Sequence, residues 1–550
     1  MNLISGLIKV FTEPMDNNLE SKMHEVNLSI IGGGATSVSF LRAFIDLISY
    51  TNAKNTRYIV TLFESSATVG HGLAYQKDMA NLIINRPLQT MSAHHHDLNE
   101  FEAWLQNHST FSGHEIVESD NASDKRAYIS REIFGHYLQD LFNKTQQLAY
   151  YKNIEVNTVH ATVEKISGKS PFVIQTTKDE LFYADYVIVC TGHNAPVDLY
   201  QLSATPRYTN NPYPVTAAIA NIASNAHVGI IGNSLTAIDV AISLKKNGHT
   251  GKISMLTRSN TPMRVRGKMV PYPLQYLTQS NILAIKKYKG MFTLKDALKL
   301  LRKELKAHRV CWKSLFKSNP TNQSFFDILK HELIESTHER KWQAILASTN
   351  QVIELLWKML DLKSKHLFMN RFYKIWLNVR TPIPTTNARH LINMHKRGQL
   401  DHHHSITDIV YDPVSDQYVA SIGEHTTLTL DYVINATGPA KFIGKADTLA
   451  YNLIQEGYAR TNPFGGVDVD FDSSAVIDSN NLINKHLRLL GHNTNGVYYF
   501  TSSLEMISKR AKHVAKNLIE FILEKKRHGK NTPPTAVPPY RTRDTAKIVN

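Results

Sequence analysis

The apolar positions of the chain fall into a pattern that occurs twice. The run Val26-Asn-Leu-Ser-Ile-Ile31 has the length and composition of a buried strand. Gly32-Gly-Gly-Ala-Thr-Ser37 follows, then a helical stretch from Val38 to about Ser49, then a strand from Tyr58 to Phe63 that ends at Glu64. Three short strand-like runs are expected near Ile154–His160, Ala161–Ile166 and Phe172–Gln175, and this half closes on Ala184-Asp-Tyr-Val-Ile-Val-Cys-Thr-Gly192. The second copy opens on His227-Val-Gly-Ile-Ile231 and turns through Gly232-Asn-Ser-Leu-Thr-Ala-Ile-Asp239 into a helix through Leu244. It returns as Ile253-Ser-Met-Leu-Thr-Arg258, and short strands near Ile406–Tyr411 and Tyr418–Ile422 lead to Leu430-Asp-Tyr-Val-Ile-Asn-Ala-Thr-Gly438. A repeated composite of strand, glycine turn, helix, strand, meander and terminal Thr-Gly is harder to reach by chance than one glycine motif.

Between the opening and the close of the second copy the period changes. From about Leu277 to His395 apolar residues recur at helical spacing, as in Leu298, Leu301 and Leu305. Helices are expected at Leu294–His308, Phe325–Glu335, Ala344–Leu360 and Leu367–Leu377. The expected organisation is an N-terminal extension (1–24), a discontinuous first domain (25–222 and 441–525) and a second domain (223–440) with a helical insertion at about 277–395. A basic tail (526–550), rich in Pro, Lys, Arg and Thr, has the composition of a disordered segment. The run Leu3 to Phe11 is short and broken by Lys9, so it reads as an amphipathic start rather than a signal peptide.

The glycine turns carry the first chemistry. A strand, a G-x-G turn, a helix and an acid at the end of the next strand form a dinucleotide-binding fingerprint. Gly32 would make the tight turn, and Gly34 would let the backbone approach a pyrophosphate. Ser37 stands where a third glycine is usual, small enough for close helix–strand packing, and the helix N-terminus would offer N–H groups to phosphate. Glu64 would accept hydrogen bonds from ribose hydroxyls, and the loop Thr51–Arg57 explains its late position in the chain. In the second turn Gly232 keeps the first position, Ser234 takes the second and Ala237 the third. The strand behind it ends on Arg258 rather than an acid, which suits a 2′-phosphate and favours NADP(H), with NAD(H) the alternative. Arg264, Arg266 and Lys268 are expected to add positive charge nearby. The fold class implied is α/β: two Rossmann-like dinucleotide-binding domains, FAD in the first and a nicotinamide in the second, with a helical insertion in the second.

Composition narrows this further. The chain has 550 residues, 42% hydrophobic and 20% charged, ample for several cores. Its formal net charge of +15 favours anionic partners. No zinc-finger spacing or RNP-type motif is present, so nucleic acid is not the expected partner, although the basic insertion leaves a flavin-dependent RNA modifier open. Two cysteines, Cys190 and Cys311, far apart and outside any C-x-x-C pair, argue against a disulfide reductase and a disulfide scaffold. The runs His94-His-His96 and His402-His-His404 lack a carboxylate at ligand spacing and read as solvated loops, so no metal site is expected. No segment reaches the length of a membrane-spanning helix, and a cytoplasmic location is expected.

Further segments carry a family resemblance. These are Gly70-His-Gly-Leu-Ala-Tyr75, Leu82-Ile-Ile-Asn-Arg-Pro87 with Met91, Phe101-Glu-Ala-Trp-Leu105, Ser130-Arg-Glu-Ile-Phe-Gly-His-Tyr137, Cys190-Thr-Gly-His193, Ala436-Thr-Gly-Pro439 and Leu490-Gly-His-Asn-Thr-Asn-Gly496. With the glycine turn they resemble the bacterial FAD/NAD(P)-binding flavoproteins with two dinucleotide-binding domains, over about residues 25–525. The resemblance implies cofactor contacts at Gly72, Met91, Thr191, Gly192, Gly438, Gly491 and Gly496. It also implies a helix starting near Ser502 aimed at the flavin's pyrimidine edge. The Asn85-Arg-Pro87…Met91 stretch is similar to the Asn-x-Pro…Met segment of flavin-containing monooxygenases, which would make Asn85 a donor to a flavin hydroperoxide; Asn85 reads equally as a turn residue before Arg86-Pro87. His71 is a flavin-adjacent acid or donor, or a structural histidine. The expected function is an FAD-dependent NAD(P)H oxidoreductase, a single-component monooxygenase of a small molecule using O2. An NAD(P)H dehydrogenase passing electrons to another acceptor, and a non-catalytic cofactor-sensing module, are the alternatives.

Overall fold

A computed structural model describes residues 24–48, 56–88, 91–94, 97–108, 117–118, 127–268, 272–315, 323–446, 448–528 and 535–536. The run Leu3–Phe11, most of the loop before Arg57, His95, His96 and nearly all of the basic tail lie outside the described residues.

The first half begins with β1 (His24–Ile31), α1 (Ala35–Leu47) and β2 (Thr56–Phe63). Val26, Leu28, Ile30 and Ile31 of β1 are all buried, as a parallel strand covered on both faces requires. A long helix, α2 (Arg131–Tyr151), follows, its N-terminus capped by the Ser130 hydroxyl, which accepts from the Glu132 N–H. Then come β3 (Ile154–Val159), the antiparallel meander β4 (Val163–Gly168), β5 (Phe172–Thr176) and β6 (Leu181–Ala184), and β7 (Tyr186–Val189). In parallel register Ile31 lies opposite both Phe63 and Val189, so the Gly32 turn leaves the sheet between the ends of its two neighbours.

The second half runs β8 (Tyr208–Thr209), α3 (Val215–Ile219), β9 (Val228–Ile231), α4 (Leu235–Lys246) and β10 (Ile253–Leu256). The insertion then supplies α5 (Leu294–Ala307), α6 (Phe325–Glu335), α7 (Lys341–Ser348), α8 (Ile353–Met359) and α9 (Tyr373–Arg380). Next are α10 (Thr385–Lys396), β11 (Leu400–His403), the meander β12 (Ile406–Asp412), β13 (Gln417–Ile422) and β14 (Thr426–Leu430), and β15 (Tyr432–Asn435). The chain returns to the first domain through β16 (Ala475–Ile477), β17 (Leu482–Leu489) and α11 (Leu504–His528). The main sheets run β16-β17-β7-β1-β2-β3 and β8-β15-β9-β10-β11. The first is parallel except for β16 and for Thr535–Ala536, which also pairs antiparallel with β17, and the second is parallel throughout.

Three expectations shift. Tyr208–Thr209 pairs with β15, and Val215 and Ile219 of α3 pack in the second core, so the second domain takes in residues upstream of 223. Ala388, Leu391, Ile392 and Met394 of α10 belong to that same core, and α10 feeds β11; it is the crossover helix of the domain, so the insertion ends before Thr385. His402 and His403 are strand residues, not a solvated loop. The His402 ring stacks on Phe325 at 4.0 Å and bonds the Thr257 hydroxyl at 3.0 Å. Burial and the neighbouring His404 and His403 push His402 down to about 3, so it packs as a neutral ring. His94 is a loop residue as expected, but it faces Asp46 at 3.2 Å and Glu100 at 3.7 Å rather than solvent alone.

The two domains are joined by more than their connectors. Arg131, first residue of α2, reaches Asp239 of α4 at 2.6 Å, and the Tyr213 hydroxyl donates to the same carboxylate at 3.0 Å. Asp239 is 4% exposed. Burial opposes the charge of Arg131, but Asp239 outweighs it and holds the guanidinium proton more tightly than in water. Asp78 accepts from Val215 N at 2.7 Å and Thr216 N at 2.8 Å, closing the start of α3 from the other domain. Removing one member of a buried pair strands the other, so Arg131→Met should lower stability by about 3–5 kcal/mol in urea denaturation. Adding Asp239→Leu should restore part of that loss, because no charge is then left uncompensated.

Candidate functional site

The first glycine turn is fixed by contact. Gly32 has φ +93°, and a Cβ there would stand 2.4 Å from the Cys190 carbonyl oxygen. Its N–H donates to Phe63 O at 2.8 Å, and the Ser37 hydroxyl bonds its carbonyl. Gly33 donates its N–H to Glu64 Oε2 at 2.8 Å, while Ser66 N–H donates to Oε1 at 2.8 Å. The carboxylate therefore sits at the strand end where ribose hydroxyls are expected, with its geometry already set. No side chain caps α1, whose N-cap is Gly34; Ser37 N–H donates to Gly34 O at 3.0 Å, so the N–H groups ahead of it are the ones a ligand would meet. Gly72 closes on this turn: a Cβ there would meet Gly34 Cα at 3.2 Å. Gly491, at φ +86°, faces the Thr36 hydroxyl of the first turn of α1, where a Cβ would stand 3.3 Å away. The Thr191 hydroxyl accepts from Asn493 Nδ2 at 3.2 Å, and Gly192 turns at φ +80° with open space around it. The residues present fit a dinucleotide: a cradle too tight for side chains, free helix amides and an acid at the second strand end.

The second turn repeats the device. Gly232 has φ +121°, and a Cβ there would stand 2.8 Å from Ala436 O. Its N–H donates to Leu256 O at 2.9 Å. Ser234 is the N-cap of α4 and makes no side-chain cap bond. Gly438 turns at φ +84°, as Gly192 does in the first domain. Arg258 is exposed just past β10, free to meet a phosphate. The other expected cations are corrected in part. Arg264 is spent on Glu332 at 2.5 Å, beside Arg340 on the same carboxylate at 2.6 Å, because a buried acid needs both partners. Arg266 is 8% exposed and donates to Asn85 O at 2.8 Å and Pro382 O at 3.2 Å. Lys268 is exposed.

Asn85 therefore lies where both domains meet. Its backbone is held from the second domain by Arg266, and Arg86 next to it donates to Ser503 Oγ and Glu505 Oε2, each at 3.0 Å, at the start of α11. Asn85 Oδ1 is buried with no hydrogen-bond partner. A buried acceptor left unmet costs about 1–3 kcal/mol, which a donor on a bound group would recover. Asn81 Nδ2 donates to Ser243 Oγ of α4 at 2.9 Å, a second tie between this segment and the second domain.

Other expected site residues resolve differently. The His71 ring packs edge-on against His136 at 5.4 Å, and a Cβ on Gly135 would meet it at 3.1 Å; burial and His136 push its pKa down. Its Nε2 is buried without a hydrogen-bond partner, so the ring packs under the Gly70–Gly72 turn with one nitrogen unmet. Met91 is 5% exposed inside the core formed with α1, α2 and α11, which its apolar side chain explains without a cofactor contact. Gly496 is required by Asn462 Oδ1 and Gly465 O, each 2.3 Å from a Cβ built there, not by the first glycine turn. Burial pushes the Cys190 thiol up to about 12, partly offset by Ser37; Cys311 is exposed, and neither cysteine is in a disulfide. Arg131, Asp239 and the Arg266–Asn85 contact were not singled out from sequence; the Arg in Ser130-Arg-Glu132 was the one available hint.

Residues 29–194, which span the first glycine turn, Glu64 and the Thr191-Gly192 turn, match the model of a family described as FAD-NAD(P)-binding. No curated protein sequence matches the chain. Among solved structures the chain is similar to the ornithine N-hydroxylase of Kutzneria sp. 744, in a form with reduced FAD, NADP+ and L-ornithine, at 12% identity and TM-score 0.52, covering 90% of this chain and 99% of that one. It is similar to the ornithine hydroxylase of Pseudomonas aeruginosa at 11% identity and TM-score 0.52, covering 90% and 100%. The L-lysine 6-monooxygenase of Pseudomonas syringae matches at 11% identity and TM-score 0.51, covering 90% and 99%. At these identities the likeness establishes the fold, two dinucleotide-binding domains, as the glycine turns indicated. No helix among the described residues is long and apolar enough to cross a membrane.

Two outcomes follow from the contacts. Gly32→Ala should yield protein without bound flavin absorbance, whereas Gly232→Ala should keep the flavin and lose NADPH-driven reduction. Iodoacetamide at neutral pH should label one thiol, Cys311, in the native protein and two after denaturation, as counted by mass spectrometry.

Proposed function

We propose that the chain is an FAD-dependent NADPH oxidoreductase that acts as a single-component monooxygenase on a small molecule. The observation that carries this reading is the position of Asn85, held by Arg266 from the second domain and, through Arg86, by the start of α11. The first turn, with Gly32, Gly34 and Glu64, would hold FAD, whose chemistry when bound would be two-electron transfer between NADPH and O2. The balance is that NADPH, a proton, O2 and substrate give NADP+, water and substrate carrying one oxygen atom.

The chain's own groups then have separate tasks. Glu64 holds the ribose hydroxyls of the first nucleotide, and the start of α1 meets its pyrophosphate. Arg258 meets the 2′-phosphate of the second. The Asn85 carboxamide, already paying for an unmet acceptor, supplies a fixed dipole beside the reacting atoms, and fixed dipoles in a dry site are worth more than in water. The interdomain contacts at Asn81, Asn85 and Arg131 keep that dipole in one place and water out. The solved neighbours named as ornithine and lysine oxygenases support the oxygenase reading over a plain dehydrogenase.

The test is coupling. Asn85→Ala should leave NADPH-driven flavin reduction within about twofold and raise hydrogen peroxide released per NADPH towards one, with product formation down roughly 10²–10³-fold. A peroxide ratio unchanged from the parent protein would refute the role of Asn85. For Arg258→Ala, loss of a charge-assisted hydrogen bond of about 1.5–3 kcal/mol predicts a roughly 10–100-fold rise in KM for NADPH and little change for NADH.

A further inference from the structure

The insertion packs around its own core, separate from the two nucleotide domains. Between Gln279 and Arg309 the sequence sets nine Lys and Arg against two acids, Asp296 and Glu304. Both acids point inward. Asp296 is 4% exposed; its Oδ2 accepts from the Thr293 N–H at 3.1 Å and hydroxyl at 2.7 Å, capping α5, and its Oδ1 accepts from Lys289 at 2.6 Å. Glu304 is fully buried, and its Oε1 accepts from the Gln275 N–H at 2.8 Å and the Leu277 N–H at 2.7 Å. The acids are thus used up inside, and the exposed charges of the segment are all positive.

Those cations are ordered. Lys295, Lys299, Arg302, Lys303 and Lys306 of α5 are all exposed. At about 100° per residue they fall within an arc of roughly 100° and a length of about 16 Å. The opposite side of the helix is Ala297, Leu300, Leu301 and Leu305, packed in the insertion's core. No carboxylate among the described residues lies within ion-pair distance of any of the five. Lys295 and Lys299, Lys299 and Lys303, and Arg302 and Lys306 are like charges four residues apart. Each pair repels and destabilises the helix, and an anionic partner would remove the repulsion.

Apolar groups project beside this stripe. Phe292 and Leu360 form a parallel bridge, Asp361 N–H donates to Phe292 O at 3.1 Å, and Leu294 N–H donates to the Ser364 hydroxyl at 2.8 Å. Met291, Leu362, Lys295 and Lys363, all exposed, each stand next in the chain to one of these paired residues. Met291 is 51% exposed and Leu362 39%. Tyr288, 90% exposed, precedes Lys289, the partner of Asp296. Further along the stripe, Lys303 Nζ lies 5.9 Å from the ring of exposed Tyr276.

We infer that this face docks on an anionic lipid surface, with the cations of α5 among the headgroups and Met291, Leu362 and Tyr288 entering the interface. The apolar side of α5 is already covered by the insertion's core, so charge carries the attraction and a few projecting side chains deepen it. Met291 and Leu362 favour lipid over nucleic acid, because aliphatic chains offer bases no stacking plane. No aromatic residue is interleaved among the five cations of α5 either. The docking face stands independently of the redox reading.

The test is sedimentation of the purified full-length protein with vesicles. Phosphatidylcholine and phosphatidylglycerol in equal parts should carry the protein down, and phosphatidylcholine alone should not. Lys299→Gln/Lys303→Gln/Lys306→Gln should weaken binding to the anionic vesicles roughly 100-fold, about fivefold per cation. Lys169→Gln/Lys246→Gln/Lys396→Gln removes the same charge from exposed positions on the nucleotide domains and should change binding less than about threefold. Met291→Ser/Leu362→Ser should weaken it about tenfold and leave its salt dependence unchanged. Glutamine keeps a helix propensity close to that of lysine. If the α5 triple variant nevertheless fails to fold, by circular dichroism, the Met291/Leu362 variant and the control triple decide. No sedimentation with anionic vesicles, or equal weakening by the two triple variants, overturns the docking face. Vesicle binding indifferent to the Met291/Leu362 change overturns the lipid assignment. Release of the protein from vesicles by single-stranded RNA, with RNA bound at the lower concentration, gives the stripe to nucleic acid instead.

Discussion

The architecture hangs on a backbone contact made twice. In each domain a glycine of the first turn presses against the carbonyl of the strand that ends in Thr-Gly: Gly32 on Cys190, Gly232 on Ala436. There is no room for a Cβ at either place, and both glycines take a positive φ that other residues avoid. This closeness turns the chain sharply enough to start a helix directly over the strand end. It also brings the Thr-Gly turn, with its own positive-φ glycine at 192 or 438, to the rim of the same cradle. A phosphate site built from backbone depends on such tolerances, because the donors are amides fixed by the turn and cannot swing to meet the ligand.

That constraint explains why so much was legible. A parallel strand covered on both faces must read as an unbroken apolar run, and a glycine with no space for a side chain cannot be replaced, so β1, β9 and their turns announce themselves. In the insertion α6 occupies Phe325–Glu335 as expected, but the helix expected at Ala344–Leu360 is broken into α7 and α8 by a 3-10 turn at Thr349–Gln351, and the one expected at Leu367–Leu377 is interrupted by a π-helical turn at Phe368–Phe372. What escaped was polar sequence doing apolar work. Leu482-Ile-Asn-Lys-His-Leu-Arg-Leu489 gives no strand signal, yet β17 pairs with β7, and Arg488 is fully buried because the Ser473 carbonyl and Asn517 accept from it. His402 reads as a solvent residue until Phe325, far away in the chain, covers it. Arg264 and Arg266 look like free cations until Glu332 and two carbonyls claim them. In each case the partner lies on another element, and a single sequence shows the residue without its partner.

The contacts between domains limit how the molecule can move. The connectors after β7 and β15 run side by side, with Asn194 Nδ2 on Ala440 O at 3.2 Å and Asn435 Nδ2 on Val197 O at 2.9 Å. A hinge of two crossing strands would allow rotation if nothing else bridged the domains. Here Arg131–Asp239, Asp78 at the start of α3, and Arg266 on Asn85 bridge the domains in addition to the connectors. Turning one domain against the other would expose a buried ion pair and break several hydrogen bonds together. Exchange of ligands at the two cradles must then proceed by local motions of loops and side chains, not by swinging the domains apart.

The insertion, for the same reason, is not an appendage. Arg266 donates to Asn85 O and to Pro382 O at once, so the end of the insertion and the candidate catalytic segment share one guanidinium. Asn350, within the insertion, donates to Glu505 Oε2 at 2.8 Å, the oxygen that also receives Arg86. Arg380 in turn bonds Asn350, closing a chain of contacts from the end of α9 to the start of α11. Trp357 Nε1 donates to Gly496 O at 2.8 Å, so the first domain's last turn is anchored in the insertion as well. Removing residues between β10 and α10 would leave the Asn85 carbonyl, Glu505 and the Gly496 carbonyl without these partners, and buried polar groups without partners destabilise whatever segment carries them. The helices that look in sequence like an interruption of a two-domain plan are thus part of what holds Asn85 in place.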